Sequence, residues 1–398
     1  MKKVIRKIAT FADLYLAFFF SLFLKKGKSG ILLIPAADLC GGFGEDIMIG
    51  SFLKRYEKQK VDFIVGKSYN KDYLSGNVQY VILNKLFCLT RLVLIMKSYS
   101  ELHVIGADIM DGFHTTGTNR FNSLFLAHRM GLKVNLTGLS IRETVPDYVK
   151  KQFLKFSRFG IVKARDLESY NRLSQFIPSD RLLLVSDLAF LCPDNNIYPS
   201  SYEKTKEWVI DRRLHKQIIV AFCPNSIQMK SLGKEKYYHM MKKNIDILFK
   251  CNCSILLLYH DLRRYALNTS DKDISEDLIK KFDKLDNIFY VDDINDGITL
   301  KKYLSLCDFT FTGRMHFGIS GYVCGKVMFG ISYLNKFEGL QKMFGLNKGI
   351  NTLFDYSNIK NEDETIRLFV HNIKQLSEVV DKKLPIVKQL AEKNFSSF

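Results

Sequence analysis

Two side chains one residue apart, Arg314 and His316, stand near the start of FTGRMHFGISGYVCGK, residues 311–326. The run before them, DFTFTG, is β-branched and aromatic, as a buried strand requires. Small residues follow at once, as a helix packed close on a sheet requires. An arginine and a histidine where a buried strand opens into a turn are costly unless something pairs with them. Arginine presents a planar fork that matches carboxylate or phosphate, and imidazole exchanges protons near neutral pH. Anion holding with proton transfer is the chemistry this pair suits. The plainer alternative is a helix start with one surface arginine and one satisfied core histidine. Gly318, Ser320 and Gly321 would let the helix approach the sheet and aim its N-terminus at an anion.

Three further strand ends carry polar groups. ILLIPAADLCGGFGEDIMIGSFLKRY reads as strand, glycine-rich turn and helix, with Glu45 and Asp46 in the first helical turn. Gly41, Gly42 and Gly44 would let backbone approach a ligand. The pattern is not GxGxxG, and the two acids oppose a phosphate there; they equally complement the helix dipole. ELHVIGADIMDGFHTTGTNRF offers Asp108, Asp111, His114 and Asn119, a set that suits sugar hydroxyls or a solvated turn. FGIVKARDLESYNRL places Arg165 and Asp166 after a third strand with Ser169 behind them, which also reads as an ordinary helix boundary.

The elements that must position these groups alternate regularly. ILLIPA, VDFIV, VQYVIL, ELHVIGA, KVNLTGLSI, FGIVKARD and RLLLVSD read as strands of a first unit. QIIVAFCP, CSILLLYH, NIFYVDD, CDFTFTGR and KVMFGISY form a second series. Several are apolar throughout, as parallel strands buried on both faces are. CPDNNIYPSSYEKT, residues 192–205, has the Pro, Asn and Ser content of a linker. The pattern predicts α/β architecture with two Rossmann-like domains facing a cleft. Their bounds are 31–195 and 196–360, between an N-terminal basic and apolar helix over 1–30 and a C-terminal helical segment over 361–398 that packs back on the first domain. Ligands in such sheets bind outside the carboxyl ends of the strands, where all four clusters fall.

Composition narrows the partners. Of 398 residues, 47% are apolar and 13% aromatic, which suits large cores and excludes disorder. The net charge of +18, from 59 Lys and Arg against 41 Asp and Glu, attracts anions. No basic arm or nucleic-acid motif accompanies it, so nucleic acid is a weak reading. Eight cysteines form no CxxC pair, which leaves no zinc or disulfide framework and points to a reducing, cytoplasmic compartment. The apolar run Leu14–Leu24 has eleven residues, short of the about 20 that span a bilayer. Lys2, Lys3, Arg6 and Lys7 precede it, and Lys25, Lys26 and Lys28 follow where a signal peptide would be cleaved. Two readings fit: an interfacial helix on the inner face of the cytoplasmic membrane, which the basic flanks favour, or a helix docked on the first domain. On the first reading a chain starting near Gly30 stays soluble.

Four stretches, in this order, resemble the polysaccharide pyruvyl transferase family. KARDLES carries Arg165, Asp166 and Ser169, and SDLAF carries Asp187, Ala189 and Phe190. GRMHFGISGYVCGK supplies Arg314 and His316, and SYLNKFEGLQKMFGL supplies Tyr333 and Lys336. GGFGED lacks the family's Asn, GAD stands for a triple glycine at 106–108, and SDLAF lacks a proline. These departures fall in the first domain and bear on the acceptor. The resemblance implies a fold like that of glycosyltransferases with paired Rossmann-type domains. It implies phosphoenolpyruvate as donor and a sugar as acceptor, two of whose hydroxyls become a cyclic pyruvate ketal as phosphate leaves. Phosphoenolpyruvate is then a co-substrate, with no separate cofactor and no metal, since arginines carry the countercharge.

On that basis Arg165, Arg314, Met315, His316, Tyr333 and Lys336 are expected to bind the donor, the two arginines clamping it from both domains. His316 is the candidate general acid or a phosphate holder. Asp46, Asp108 and Asp111 are candidate bases, of which Asp46 and Asp111 join His316 as the catalytic set. Gly44, Glu45, Asp108, His114 and Asn119 are expected on the acceptor side, and the interfacial reading of the N-terminal helix suggests a lipid-linked acceptor at an anionic membrane. Replacing either arginine by alanine is expected to leave the fold intact. The rival readings are a nucleotide-sugar glycosyltransferase of the same architecture, with Glu338 available for a ribose, and a non-catalytic protein of polysaccharide assembly.

Overall fold

The computed structural model describes residues 2–37, 41–65, 78–82, 87–112, 116–264, 267–282, 286–332, 336–346, 353–355 and 361–396. Two compact units emerge. The first comprises Met1–Cys40, Met48–Leu188 and Leu390–Phe398, and the second Gly41–Ile47 and Ala189–Gln389. Three differences from the sequence-based bounds follow. The division falls at Leu188, before the Pro- and Ser-rich stretch. The glycine-rich turn groups with the second unit. Of the C-terminal segment, only Leu390–Phe398 groups with the first.

The first unit is built on β1 (Ile31–Ile34), β2 (Val61–Val65), β3 (Val78–Ile82), β4 (Glu101–Val104) and β5 (Lys133–Leu136). Their order is β3-β2-β1-β4-β5 and every pairing is parallel. The order reverses between β1 and β4, the switch point of a Rossmann-like sheet. β6 (Val162–Ala164) and β7 (Leu182–Leu184) form a separate parallel pair, joined to Leu139 by one bridge at Ala164. Gly138 permits that junction: a Cβ there would lie 2.6 Å from Val185 and 2.9 Å from Arg165. The C-terminal tail locks into the same region. Asn394 Oδ1 accepts from Gly138 N at 2.6 Å, and buried Lys163 donates to Asn394 O at 2.8 Å and Asn135 Oδ1 at 2.5 Å. Burial pulls the Lys163 ammonium down to about 7.

The second unit holds β8 (Ile218–Cys223), β9 (Cys253–Leu257), β10 (Ile288–Tyr290), β11 (Phe309–Thr312), β12 (Val327–Ser332) and β13 (Leu353–Asp355). The order is β10-β9-β8-β11-β12-β13, again all parallel. Register sets Phe311 opposite both Phe222 and Phe329, and the three rings stack at 5.2 and 4.8 Å across the sheet. β13 has no counterpart in the sequence reading, being a three-residue edge strand. The helix Met315–Val323 lies against the sheet as its small residues require. A Cβ at Gly318 would overlap Met328 Sδ, and one at Gly321 would lie 2.5 Å from Thr310 Cγ2.

The N-terminal helix, Lys2–Phe23, packs on helices Cys88–Met96 and Thr116–Arg129 of the first unit. Asp13 fixes it there by accepting from Leu89 N (3.0 Å), Thr90 N (2.9 Å) and Thr90 Oγ1 (2.7 Å), the open amides at the start of Cys88–Met96. Removing residues 1–30 would strip that cap and the packing of Lys2–Phe23 on Cys88–Met96, so the soluble truncation expected from sequence does not follow from this packing. Among the described residues no helix is long and apolar enough to cross a membrane.

Candidate active site

In the second unit, three parallel strands deliver polar groups at their carboxyl ends. Beyond β8, Asn225 caps helix Ser226–Leu232 and its amide donates to Gly313 O at 2.7 Å. Beyond β9 come His260, Asp261 and Arg263; beyond β11 come Arg314, Met315 and His316. Arg314 occupies the N-cap position of Met315–Val323 and is nearly buried. Its fork grips Asp271, Nε to Oδ2 at 2.8 Å and Nη2 to Oδ1 at 2.6 Å. Nη2 also donates to Ser226 Oγ at 3.1 Å, and Nη1 lies 3.5 Å from Asp261 Oδ2.

Asp261 in turn accepts from Arg263 Nε at 2.9 Å and Nη2 at 2.8 Å, and Arg263 reaches Glu45 at 3.3 Å. Cations and carboxylates therefore alternate from Glu45 to Asp271. Complete burial pushes the Asp271 carboxyl above the ordinary range against the pull of Arg314. Burial also acts to raise Asp261, but the bonds from Arg263 and the charge of Arg314 outweigh it and hold that carboxyl low.

The two imidazoles lie beside this network. His260 and His316 are nearly parallel, at 7° with ring centroids 6.4 Å apart. His260 is 4% exposed, packed edge-on against Phe43 and Phe317, and its Nε2 has no hydrogen-bond partner among the described residues. Burial, then the charges of His316 and Arg314, drive its pKa well below the usual value, so it is a neutral ring. His316 is half-buried. Gly44 makes its room, since a Cβ at Gly44 would overlap the imidazole. The glycine turn is held in place by Phe43 N to His260 O (3.2 Å) and Leu262 N to Gly41 O (2.8 Å).

The first unit carries a second cluster. Arg165 is buried, with Nη1 donating to Asp187 Oδ2 at 2.9 Å and Nε to Ser140 Oγ at 2.7 Å. Asp166 caps helix Leu167–Leu173 through Ser169 N at 2.7 Å and accepts from Ser169 Oγ at 2.9 Å and Ser140 Oγ at 2.7 Å. Asp111 is fully enclosed and paired with Arg142 at 2.9 Å. Asp108 is half-buried and Asn119 exposed.

The polysaccharide pyruvyl transferase profile matches residues 43–335, most of the chain. The chain belongs to that family. It is therefore a transferase of polysaccharide biosynthesis. No curated protein matches it. Among solved structures it is similar to a putative UDP-N-acetylglucosamine 2-epimerase from Listeria monocytogenes, with 11% identity, TM-score 0.55, and 90% of this chain and 91% of that one covered. It is also similar to a glycosyltransferase from Rickettsia africae, with 15% identity, TM-score 0.50, and 91% and 98% covered. Those likenesses establish the fold, two Rossmann-like domains of the kind paired in glycosyltransferases.

For this pyruvyl transferase family member, the structure ties two motifs of the first unit to each other. Arg165 of KARDLES pairs with Asp187 of SDLAF. Gly44 and Glu45, expected on the acceptor side with the first domain, belong to the second unit and engage His316 and Arg263. Asp46 has no exposed surface. Lys336 opens the helix Lys336–Met343, while Tyr333 and His114 lie outside the described residues. The expectation that either arginine could be trimmed without cost to the fold does not follow from these contacts, because each is paired with a buried aspartate.

Sequence reasoning missed His260, Asp261, Arg263, Asp271 and Ser226. His260 ends the run CSILLLYH and Asp261 and Arg263 follow it, so the rule that chemistry sits at strand ends would have found all three. Asp271 opens helix Asp271–Phe282 ten residues further on, where an acid reads as an ordinary dipole complement.

Proposed function

We propose that the protein transfers pyruvate from phosphoenolpyruvate to two hydroxyls of a sugar, forming a cyclic ketal and releasing phosphate. The observation that carries this reading is Arg314 and His316 together at the open N-terminus of Met315–Val323, in a chain of this family. A donor with about three negative charges needs fixed cations and free amides, and a helix start supplies the amides. Asp271 and Ser226 hold the Arg314 guanidinium in one orientation, so its position is set before the donor arrives.

In the reaction His316 delivers a proton to the enol CH2, turning it into a methyl group and leaving C2 electron-poor. One sugar hydroxyl adds to C2, the C2–O bond to phosphate breaks, and the second hydroxyl closes the ring. Of the two hydroxyl protons, one restores His316 and the other leaves with phosphate. Asp46 and Asp111 are enclosed, so half-buried Asp108 is the most accessible of the three carboxylates considered as base.

Calorimetry with phosphoenolpyruvate and with UDP-sugars, together with phosphate release in the presence of a sugar acceptor, tests the reading. Phosphoenolpyruvate is expected to bind and UDP-sugars not to. His316→Gln keeps a hydrogen-bond donor but delivers no proton to carbon; near-normal donor binding with turnover lowered by about 10² or more is expected. Tight binding of a UDP-sugar alone would replace this reading with glycosyl transfer.

A further inference from the structure

The N-terminal helix is amphipathic in the wrong sense for a helix whose only role is to pack on its own domain. The residues it buries completely are small or polar, Asp13, Ala17 and Ser21, spaced by four, with Phe20 partly buried beside them. Those it turns outward are large and apolar. Ile8, Phe11, Tyr15, Phe18 and Leu22 recur at intervals of three and four, which places them on one stripe, and Phe19 and Phe23 widen it. All seven are exposed, Phe11 by 74% and Phe23 by 68%. Single apolar side chains on a surface are ordinary, but a contiguous stripe of this kind marks a surface meant to be covered.

Charge identifies what covers it. In sequence the stripe lies between Lys2, Lys3, Arg6 and Lys7 on one side and Lys25, Lys26 and Lys28 on the other, the last three exposed. Arg129, from the neighbouring helix, places its guanidinium 4.3 Å from the Phe18 ring centroid, so a cation stands at the stripe itself. The single acid of the helix, Asp13, is turned inward on the cap of Cys88–Met96. A second copy of this helix, parallel or antiparallel, would bring basic end against basic end with no acid to offset them. An anionic lipid surface meets both requirements, apolar depth for the aromatic rings and negative charge for the flanks.

We propose that this stripe is a docking face for an anionic bilayer, with the helix lying in the plane of the membrane surface while its inner face stays bound to the first unit. The stripe belongs to the first unit and the Arg314 cluster to the second, and the proposal is independent of the donor chemistry.

The test uses the full chain and sedimentation with two kinds of vesicle, phosphatidylcholine alone and phosphatidylcholine with about 30% phosphatidylglycerol. At low salt we expect at least about tenfold more protein bound to the anionic vesicles, and release as salt rises toward about 0.5 M. Phe11→Ser, Phe18→Ser and Phe19→Ser combined should lower that binding about tenfold or more with the melting temperature little changed, because all three rings are exposed. Lys25→Gln, Lys26→Gln and Lys28→Gln combined should remove most of the preference for phosphatidylglycerol. Equal sedimentation with and without vesicles would overturn the proposal. So would a wild-type dimer that the triple serine variant converts to monomer while vesicles bind neither. No readout uses phosphoenolpyruvate, so failure here leaves the reading of the Arg314 site untouched.

Discussion

Each unit buries an arginine against an aspartate where a strand ends, and each buries a histidine with a lowered pKa. The two sets of partners differ. In the first unit the polar atoms answer one another. Arg165 is bound by Asp187 and Ser140, Asp166 closes a helix cap with Ser169, and His103 bonds Glu101 at 2.8 Å and Asn135 at 3.3 Å. In the second, Arg314 is fixed as firmly, but around it lie a buried imidazole nitrogen without a partner among the described residues, a half-buried imidazole and a helix N-terminus with no side-chain cap. Buried polar groups are nearly always satisfied, and an orphan calls for a reason. On the function proposed above, the contrast gives the first cluster the role of holding the fold and the second that of chemistry.

The largest test removes the arginines. Arg165→Ala and Arg314→Ala should each cost about 3–5 kcal/mol, because each strands a buried carboxylate. Apolar replacement of the whole pair, Arg165→Met with Asp187→Leu or Arg314→Met with Asp271→Leu, should recover most of that loss. The repaired first-unit variant should then bind phosphoenolpyruvate within about threefold of wild type, and the repaired second-unit variant should not bind it. Trp208, the one tryptophan in the chain, lies in the second unit against Phe289, so its fluorescence follows that unit's unfolding separately. Loss of donor binding in the repaired first-unit variant would break the contrast and make Arg165 a donor ligand, as the family resemblance suggests.

How much of this was legible in the sequence follows from the range of the signals. The strand runs, Gly318 and Gly321 carry local periodicity or sterics, and the structure bears them out. The separation of β6 and β7 from the main sheet depends on Gly138 meeting Val185, a contact between distant segments with no local pattern. The same is true of the site. Arg314 and His316 announced themselves at a strand end. That Gly44 serves His316 could not be read, because nothing in GGFGED shows that the turn folds onto a helix some 270 residues away. The N-terminal helix was read as either interfacial or docked, and the structure shows the docked face; the alternatives were not exclusive, since a stripe and its opposite face can do different work.

Two glycines sharpen the comparison at smaller amplitude. Gly138 in the first unit and Gly44 in the second each leave space that a methyl group would fill. Gly138→Ala meets Val185 and the Arg165 Cβ, and should cost about 1–3 kcal/mol of stability while catalysis in the surviving protein is unchanged. Gly44→Ala lies in the helix Phe43–Arg55, where alanine itself is favoured by about 1 kcal/mol, which offsets part of the clash. Its effect should fall on function, with turnover lowered about tenfold or more as the His316 ring is displaced. Thermal unfolding and phosphate release on the same preparations separate the two. Equal losses in both measurements for both variants would erase the distinction.

The smallest effect is a pH dependence. His260 has its folded pKa driven well below the ordinary value by burial, so below about pH 6.5 the unfolded chain takes up a proton that the folded unit refuses. Stability linked to this group is therefore fully present above that pH and falls as pH drops, by about 1.4 kcal/mol for each unit below it. His103 acts with the same sign in the first unit, but its bond to Glu101 works against the shift. Asp261, whose carboxyl is held low, begins to contribute only further into acid, whereas Lys163, pulled down to about 7, and Asp271, pushed up by burial, add their own dependence, which the comparison with a His260 variant cancels. Urea unfolding followed at Trp208, at pH 7.5 and 5.5, should show wild type losing about 1 kcal/mol more than His260→Phe between the two conditions. A phenylalanine keeps the ring packing against Phe43 and Phe317 and removes the titrating nitrogen. If the variant loses as much as wild type, His260 takes up its proton in the folded state, and the neutral, unpartnered imidazole that separates the two clusters is not there.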